Sequence, residues 1–478
     1  MDEKTNGQLI QEKLAYKSKN AWEKTSPQEI EKVFEFCEGY KEFLDMGKTE
    51  RECTKISVEL AKSKGFQDID QLMSNGSKIT PGMKVYKVVH EKSIMLAVIG
   101  THPLDKGINI IGGHIDAPRI DLKPNPLYED TGMALFKTHY YGGIKKYQWV
   151  SIPLALHGVI VKTDGEVVNV CIGEDSRDPV FTITDLLPHL AQDQMSKKMS
   201  EAITGEGLNL LIGSIPYNDE KVKESVKLNI LNILNEKYGI IEEDFISAEL
   251  EIVPAFKSKD VGFDRGMIGA YGQDDRVCSY ISLRAILDME APEKTAMCIL
   301  TDKEEIGSMG NTGAESTMLI NFISFLMEML DNNFSENKLR KALENSYMLS
   351  ADVNPAVDPT YDSVHEKKNS TFLGNGILFQ KYTGVRGKVG GSDANAEFIA
   401  KLRKLFNENG IIWQTGELGK VDQGGGGTIA QYVANLGVEV VDCGVPILSM
   451  HSPFEITSKI DVFICYNAFK AFYDKFNQ

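Results

Sequence analysis

The sequence lacks paired cysteines, long apolar runs and an excess of positive charge, and each absence removes a class of protein. Its seven cysteines, at positions 37, 53, 171, 278, 298, 443 and 465, are scattered and odd in number, and none forms a Cys-x-x-Cys pair. That spacing fits neither a zinc ribbon nor a disulfide framework, so each is read as a small buried apolar residue. No stretch approaches the roughly 20 apolar residues of a membrane span. The start, Met1-Asp-Glu-Lys-Thr-Asn-Gly, has no apolar signal core, and a cytoplasmic location is the expectation. Basic residues number 52 against 68 acidic ones, for a formal charge of −16. Nucleic acid needs a basic partner surface and is excluded, and the charge gives no support for a membrane partner.

Two common catalytic signatures are also missing. Gly384-Val-Arg-Gly-Lys-Val389 contains a Gly-Lys pair without the Ser/Thr and spacing of a phosphate-binding loop. Gly307-Ser-Met-Gly310 does not have the spacing of a nucleophile elbow, and no Gly-x-Gly-x-x-Gly opens a helix after a strand. Nucleotide binding and serine hydrolysis are set aside.

What the chain does have is a recurring pattern, an apolar run ending in potential metal ligands. Ala296-Met-Cys-Ile-Leu300 leads into Thr301-Asp-Lys-Glu-Glu-Ile-Gly-Ser308, with the adjacent acids Glu304 and Glu305. Two neighbouring carboxylates repel unless a cation relieves them. One can then bind metal while the other handles a proton. Ile108-Asn-Ile-Ile111 precedes His114 and Asp116. Tyr347-Met-Leu-Ser-Ala351 ends at Asp352, and Val445-Pro-Ile-Leu448 leads to His451. Asp274-Asp275 precedes a helical pattern over residues 277–289, which would put Asp274 at a helix start. Sites in open α/β sheets form outside the carboxyl ends of the strands, so these segments could converge on one crevice. Two histidines and three or more carboxylates are the ligand set of a two-metal hydrolase. Taken singly, each motif has an ordinary structural reading: a solvated acidic loop, a helix N-cap at Asp274 and Asp275, a satisfied histidine at His189 or His365.

A chain of 478 residues predicts two domains. Residues 8–47 and 53–64 read as helices; residues 84–89, 93–98 and 108–111 read as strands. From 122 the character changes. Leu122-Lys-Pro-Asn-Pro126, hairpin-like runs over 154–172 and a polar helical stretch near 219–236 contain none of the strand-end motifs. The expectation is a catalytic domain in two parts, 1–121 and 261–478, interrupted by an inserted domain over 122–260. The Gly424–Gly427 run reads as a turn that allows close backbone approach.

The ordered set of His114-Ile-Asp116, Asp274-Asp275, Glu304-Glu305, Asp352 and Met450-His451 resembles the aspartyl aminopeptidase family, which includes the vacuolar aminopeptidase. Tyr141-Gly-Gly143, Pro188-His-Leu-Ala191 and His365-Glu366 add to the likeness. The resemblance implies an α/β fold: a phosphorylase/hydrolase-like catalytic domain with a central mixed sheet flanked by helices, plus an inserted β-rich dimerisation domain. It implies a peptide hydrolase acting on short peptides, and a tetrahedral homododecamer built from dimers. It also implies two divalent metal ions per subunit, zinc first, with cobalt or manganese as alternatives. By resemblance, His114, Asp274, Glu305, Asp352 and His451 are the metal ligands, with Asp274 shared. Asp116 orients the His114 imidazole, and Glu304 is the general base. A shared carboxylate lets two cations sit about 3.5–4 Å apart and activate a water between them.

Two departures bear on specificity. Many relatives carry Asp-Asn where this chain has Asp274-Asp275. The lysine that meets acidic substrate side chains in some relatives has Lys381 as its nearest counterpart, with a register uncertain by one residue. His365 and His189 are further candidates for substrate contact. His189 would act from a neighbouring subunit, although the next histidine of that helix in the family is replaced here by Asp193. Acidic and neutral N-terminal residues both stay open as substrates. So do two other functions that the resemblance leaves room for, an idle assembly protein and a deacylase of N-acyl amino acids.

Overall fold

The computed structural model describes residues 4–331 and 334–476. A nine-stranded mixed sheet forms its centre. Across the sheet the strands run Gln67–Asp68, Lys84–Val89, Ser93–Val98, Ala296–Thr301, Asn109–His114, Tyr347–Ala351, Glu439–Gly444, Ile377–Gln380 and Trp413–Thr415. The four strands from Ala296–Thr301 to Glu439–Gly444 are mutually parallel, so their carboxyl ends share one edge. Continuous apolar runs suit these positions because both sheet faces are covered. Side chains alternate between the faces. Cys298 and Leu300 join Leu96, Ile111 and Val441 in one core, while Met297 and Ile299 join Met95, Ile110 and Val440 in the other. Helices Pro27–Met46, Gln273–Leu287, Ala396–Glu408 and Lys459–Lys475 cover the first face; Met318–Leu330 and Glu336–Glu344 cover the second.

The helix expected over residues 8–47 is two helices, Asn6–Leu14 and Pro27–Met46. Ser26 and Glu29 form a capping box and Pro27 takes the first helical position, so the second helix has its own start signal. None of the side chains in Asn6–Leu14 is buried.

Residues 119–254 supply a second sheet of seven antiparallel strands, in the order Val167–Ile172, Leu154–Val161, Ala248–Pro254, Arg119–Asp130, Met133–Tyr141, Leu210–Gly213 and Thr182–Ile183. Trp149, Leu156, Ile160, Leu210 and Ile252 lie in its own core. The prolines of residues 122–126 do not end a strand. They sit where the pairing of Arg119–Asp130 with Met133–Tyr141 shifts register between Leu122 and Leu127, an irregularity that tolerates a missing N–H. The expected boundaries at 121/122 and 260/261 both fall inside strands. The polar helix spans Ser225–Tyr238.

A third, five-stranded sheet holds Lys259–Val261, Met267–Ala270, Glu455–Ser458, Pro446–Leu448 and Asn354–Pro355. The run before His451 therefore belongs to this sheet and not to the central one. Gly444 ends the central strand, and a Cβ there would collide with the carbonyl oxygen of Asp352. Among the described residues no helix is long and apolar enough to cross a membrane.

Candidate metal centre

The parallel pairing of Asn109–His114 with Ala296–Thr301 sets Thr301 beside His114, so both chains leave the sheet at one place. His114 and Asp116 follow from one strand, Glu304 and Glu305 from its neighbour, and Asp352 from the strand on the other side. The third sheet supplies the remaining pair. Met267–Ala270 and Glu455–Ser458 are antiparallel, with Ala270 opposite Glu455. Asp274 lies four residues beyond Ala270 and His451 four residues before Glu455, so continuing that pairing brings the two candidate ligands face to face.

The atoms converge accordingly. His114 Nε2 lies 3.3 Å from Asp274 Oδ1, and His451 Nε2 lies 3.1 Å from Asp274 Oδ2. Glu305 Oε2 is 3.5 Å from His451 Nε2, and Glu304 Oε2 is 3.8 Å from His114 Nε2. At this site three groups have donor atoms within 4.8 Å of one another: His114, Asp274 and Asp352; Asp274, Glu305 and His451; and His114, Glu304 and Glu305. Asp274 belongs to the first two and presents a different oxygen to each histidine. Glu305 Oε1 is buried without a hydrogen-bond partner among the described residues. An orphaned carboxylate oxygen within a cluster of imidazoles and acids fits a divalent cation, because the donor set is hard and borderline N/O and leaves negative charge unmatched.

Electrostatics follow from burial and crowding. Burial pushes Glu304 up to about 7; the Asp116 and Asp274 charges add to the rise and His114 opposes it. Burial, with Asp274 beside it, holds Glu305 well above the usual carboxylate range. Asp352 is raised by burial and by Asp275 and Asp274. Burial also works against ionisation of Asp274, yet hydrogen bonds from His114 and His451 keep its carboxyl below the ordinary range. Asp275 is fully buried, and burial chiefly, with Asp274 adding to it, holds its carboxyl well above the usual range.

Supporting groups orient the ligands. His114 Nδ1 is 3.0 Å from the Asp116 carbonyl oxygen and 3.2 Å from Asp116 Oδ1, leaving Nε2 turned to Asp274. The Asp116 carboxylate accepts the backbone N–H of Glu304 at 3.1 Å and of Glu305 at 3.2 Å, and the Tyr141 hydroxyl at 2.8 Å. His451 Nδ1 lies 2.9 Å from the Gly143 carbonyl oxygen. Tyr141 and Gly143 reach in from the second sheet. Gly142 has φ 72°, and a Cβ there would lie 3.3 Å from Glu305 Cβ, so the close approach of this turn favours glycine. The sequence marked Tyr141-Gly-Gly143 without a role. Glu455, which accepts the backbone N–H of His451 and of Asp274, was missed.

The candidate ligands open onto a cleft of about 560 Å³ lined also by Gln380, Thr383, Leu418, Thr428, Tyr432 and Met450. Lys381, His365 and His189 are not among its lining residues. Lys381 is exposed, while its neighbour Gln380 is buried at the cleft wall. His365 is buried, and its Nδ1 has no partner among the described residues. His189 is exposed in the turn Pro188–Leu190 of the second-sheet unit.

Comparison with known proteins places relatives beside this geometry. The family model described as "Aminopeptidase I zinc metalloprotease (M18)" matches residues 43–473. A probable M18 family aminopeptidase 1 of Clostridium acetobutylicum is 54% identical over 454 residues, covering 95% of this chain and 97% of the relative. The crystal structure of the M18 family aminopeptidase from Thermotoga maritima superposes with a TM-score of 0.92 at 48% identity, over 96% of this chain and all of the other. A solved S. cerevisiae mApe1 dodecamer shares the fold, with a TM-score of 0.75 at 21% identity over 92% of this chain and 97% of that one.

Proposed function

The chain belongs to the M18 family of aminopeptidase I zinc metalloproteases, and within that family we propose that it uses two divalent ions per subunit to remove the N-terminal residue from short peptides. The observation that carries the two-ion reading is Asp274, whose two oxygens face two different histidines in two separate ligand groups. His114, Asp274 and Asp352 would hold one ion; Asp274, Glu305 and His451 would hold the other. Bound divalent ions supply a lowered pKa for a water and polarise the scissile carbonyl. Glu304 takes a proton from the attacking water and returns it to the leaving amine. Asp116 keeps His114 in the tautomer that presents Nε2 and holds the Glu304 and Glu305 backbone in register. Zinc is the first choice of ion from the family, with cobalt and manganese as comparisons. Elemental analysis of active protein should give about two ions per chain. Full activity in a metal-free preparation would refute the reading.

The cleft favours a neutral N-terminal residue over an acidic one. Gln380, Thr383, Leu418, Tyr432 and Met450 line it, and no lysine or arginine does so among the described residues. An acidic side chain against those residues would give up water without a charged partner; Arg386, Lys388 and Lys420 line the adjoining cavity beyond Gln380 and Thr383. A panel of aminoacyl substrates should show leucine and methionine ahead of aspartate and glutamate. The reverse order would revive Lys381 as a specificity residue.

The inserted unit is the proposed dimerisation domain of a dodecamer. Leu186, Leu187, Leu190, Met195 and Met199 are all exposed around His189, an apolar surface of the kind that marks a protein contact. This supports a role for His189 in a neighbouring subunit's site. A cytoplasmic location goes with the proposal, supported by seven free cysteines, six of them buried.

A further inference from the structure

We infer that Glu455 is a positioning residue for the metal centre, a carboxylate that holds the shared ligand Asp274 and the ligand His451 in register by their backbones. One oxygen accepts the N–H of His451 at 2.7 Å and the other accepts the N–H of Asp274 at 3.1 Å. The side chain is 1% exposed. Its place is built in from below. Glu455 opposes Ala270 in the third sheet, and the Gln273 side-chain amide donates to its carbonyl oxygen at 2.6 Å. The Tyr40 hydroxyl in turn donates to Gln273 Oε1 at 3.1 Å.

The arrangement mirrors Asp116. That carboxylate gathers the N–H groups of Glu304 and Glu305 on one side of the centre. Glu455 does the same for Asp274 and His451 on the other. Both segments need such a brace. His451 sits at φ 63°, and Asp274 departs from helical dihedrals at the start of its helix, so neither backbone is held by a regular ladder at that point. Without Glu455 the two ligands would keep their side chains but lose their mutual spacing, on which the ion held jointly by Asp274, Glu305 and His451 would depend. Outer carboxylates of this kind change metal affinity by roughly 10–100-fold when removed.

The inference rests on the proposed two-metal reading, and the test separates the two. Zinc affinity is measured by chelator competition on the full-length assembled protein. Glu455→Gln keeps the size but offers one acceptor oxygen and an amide NH2, so one of the two N–H groups loses its partner. Its zinc affinity should fall roughly 10–100-fold, and excess zinc should restore turnover. Glu455→Asp, with a carboxylate one methylene shorter, should lie between the two and serves if the glutamine variant does not assemble. Asp461→Asn is the structural control. Asp461 is a fully buried carboxylate that accepts the N–H groups of Gly374 and Gly376, each at 2.7 Å, and is not among the ligand groups. It should leave zinc affinity unchanged. Wild-type zinc affinity in Glu455→Gln, or an equal loss in Asp461→Asn, would overturn the inference. A wild-type protein that binds no zinc would instead overturn the two-metal reading beneath it.

Discussion

Adjacent residues Glu304 and Glu305 have neighbouring side chains but different expected failures when neutralised. Glu304→Gln removes the proposed proton acceptor and leaves the candidate ligand groups around Asp274 whole. The change leaves the backbone anchor of Glu304 in place, because that bond runs from its N–H to Asp116, at 3.1 Å, and not from its side chain. In the ion-free cluster burial pushes the Glu304 carboxyl up to about 7, and cations held beside it would favour its ionised, proton-accepting form. Loss of a positioned general base costs about 10²–10⁴ in turnover, or roughly 3–5 kcal/mol of transition-state stabilisation. Glu305→Gln instead weakens the group with Asp274 and His451, in which Glu305 Oε2 lies 3.5 Å from His451 Nε2. Turnover on a leucyl chromogenic substrate is measured across a zinc titration, with metal content determined on the same samples. Glu304→Gln should retain its zinc and stay slow at every zinc concentration. Glu305→Gln should recover as zinc rises. Near-normal turnover in Glu304→Gln, or zinc loss equal to that of Glu305→Gln, would refute the division of labour.

Two further outcomes are expected away from the ligands. His157 is 2% exposed and joins the second sheet to the helix Glu50–Ser63, with Nδ1 2.8 Å from Glu52 Oε1 and Nε2 3.2 Å from Glu174 Oε1. Burial opposes its charge, but hydrogen bonds with Cys171, Glu174 and Glu52 push it up to about 11. Because the folded value exceeds the unfolded value of about 6.5, its contribution is complete below that pH and declines by at most about 1.4 kcal/mol per pH unit as pH rises toward 11. The deficit of His157→Gln in urea unfolding should therefore be larger at pH 6 than at pH 9, and a pH-independent deficit would contradict the charged state. Leu190→Glu with Met195→Glu, at positions 68% and 74% exposed, should lower the mass found by light scattering, and an unchanged mass would remove this surface from the assembly contact.

The central sheet was legible because its strands are buried on both faces and read as unbroken apolar runs. Lys84–Val89 and Ser93–Val98 have the bounds the sequence suggests, and Ala296–Leu300 extends by one residue. The candidate ligands stand out for the same reason, since each follows such a run or opens a helix. The helical break near residue 20 was less visible, because the capping box of Ser26 and Glu29 lies within a polar stretch that suits a helix surface equally well. Lys381 shows the limit set by a two-residue period. The strand Ile377–Gln380 carries Gln380 to the cleft wall, and one residue further along the chain Lys381 is exposed. Glu455 was invisible for a different reason, as its partners are backbone N–H groups and leave no mark on side-chain composition.

The run leading to His451 carries the larger lesson. It looks like the other strand-end motifs, yet Pro446–Leu448 pairs with Glu455–Ser458 outside the central sheet. The ligand cluster thus lies at a junction. Parallel strand ends bring His114, Glu304, Glu305 and Asp352; an antiparallel pair brings Asp274 and His451. Asp274 bridges the two sources, with one oxygen toward a histidine of each. A displacement of one sheet against the other would change the His114–Asp274 distance while leaving Asp274–His451 intact. The buried helix Gln273–Leu287 opposes that displacement, since its Ser279 hydroxyl donates to the His114 carbonyl oxygen at 2.6 Å and Asp275 Oδ2 accepts the His114 N–H at 3.4 Å. The helix that begins beside Asp274 is therefore also the strut that locks the other sheet's histidine to it. Aligned packing at this joint, and not the ligand types alone, makes one centre out of two sheets.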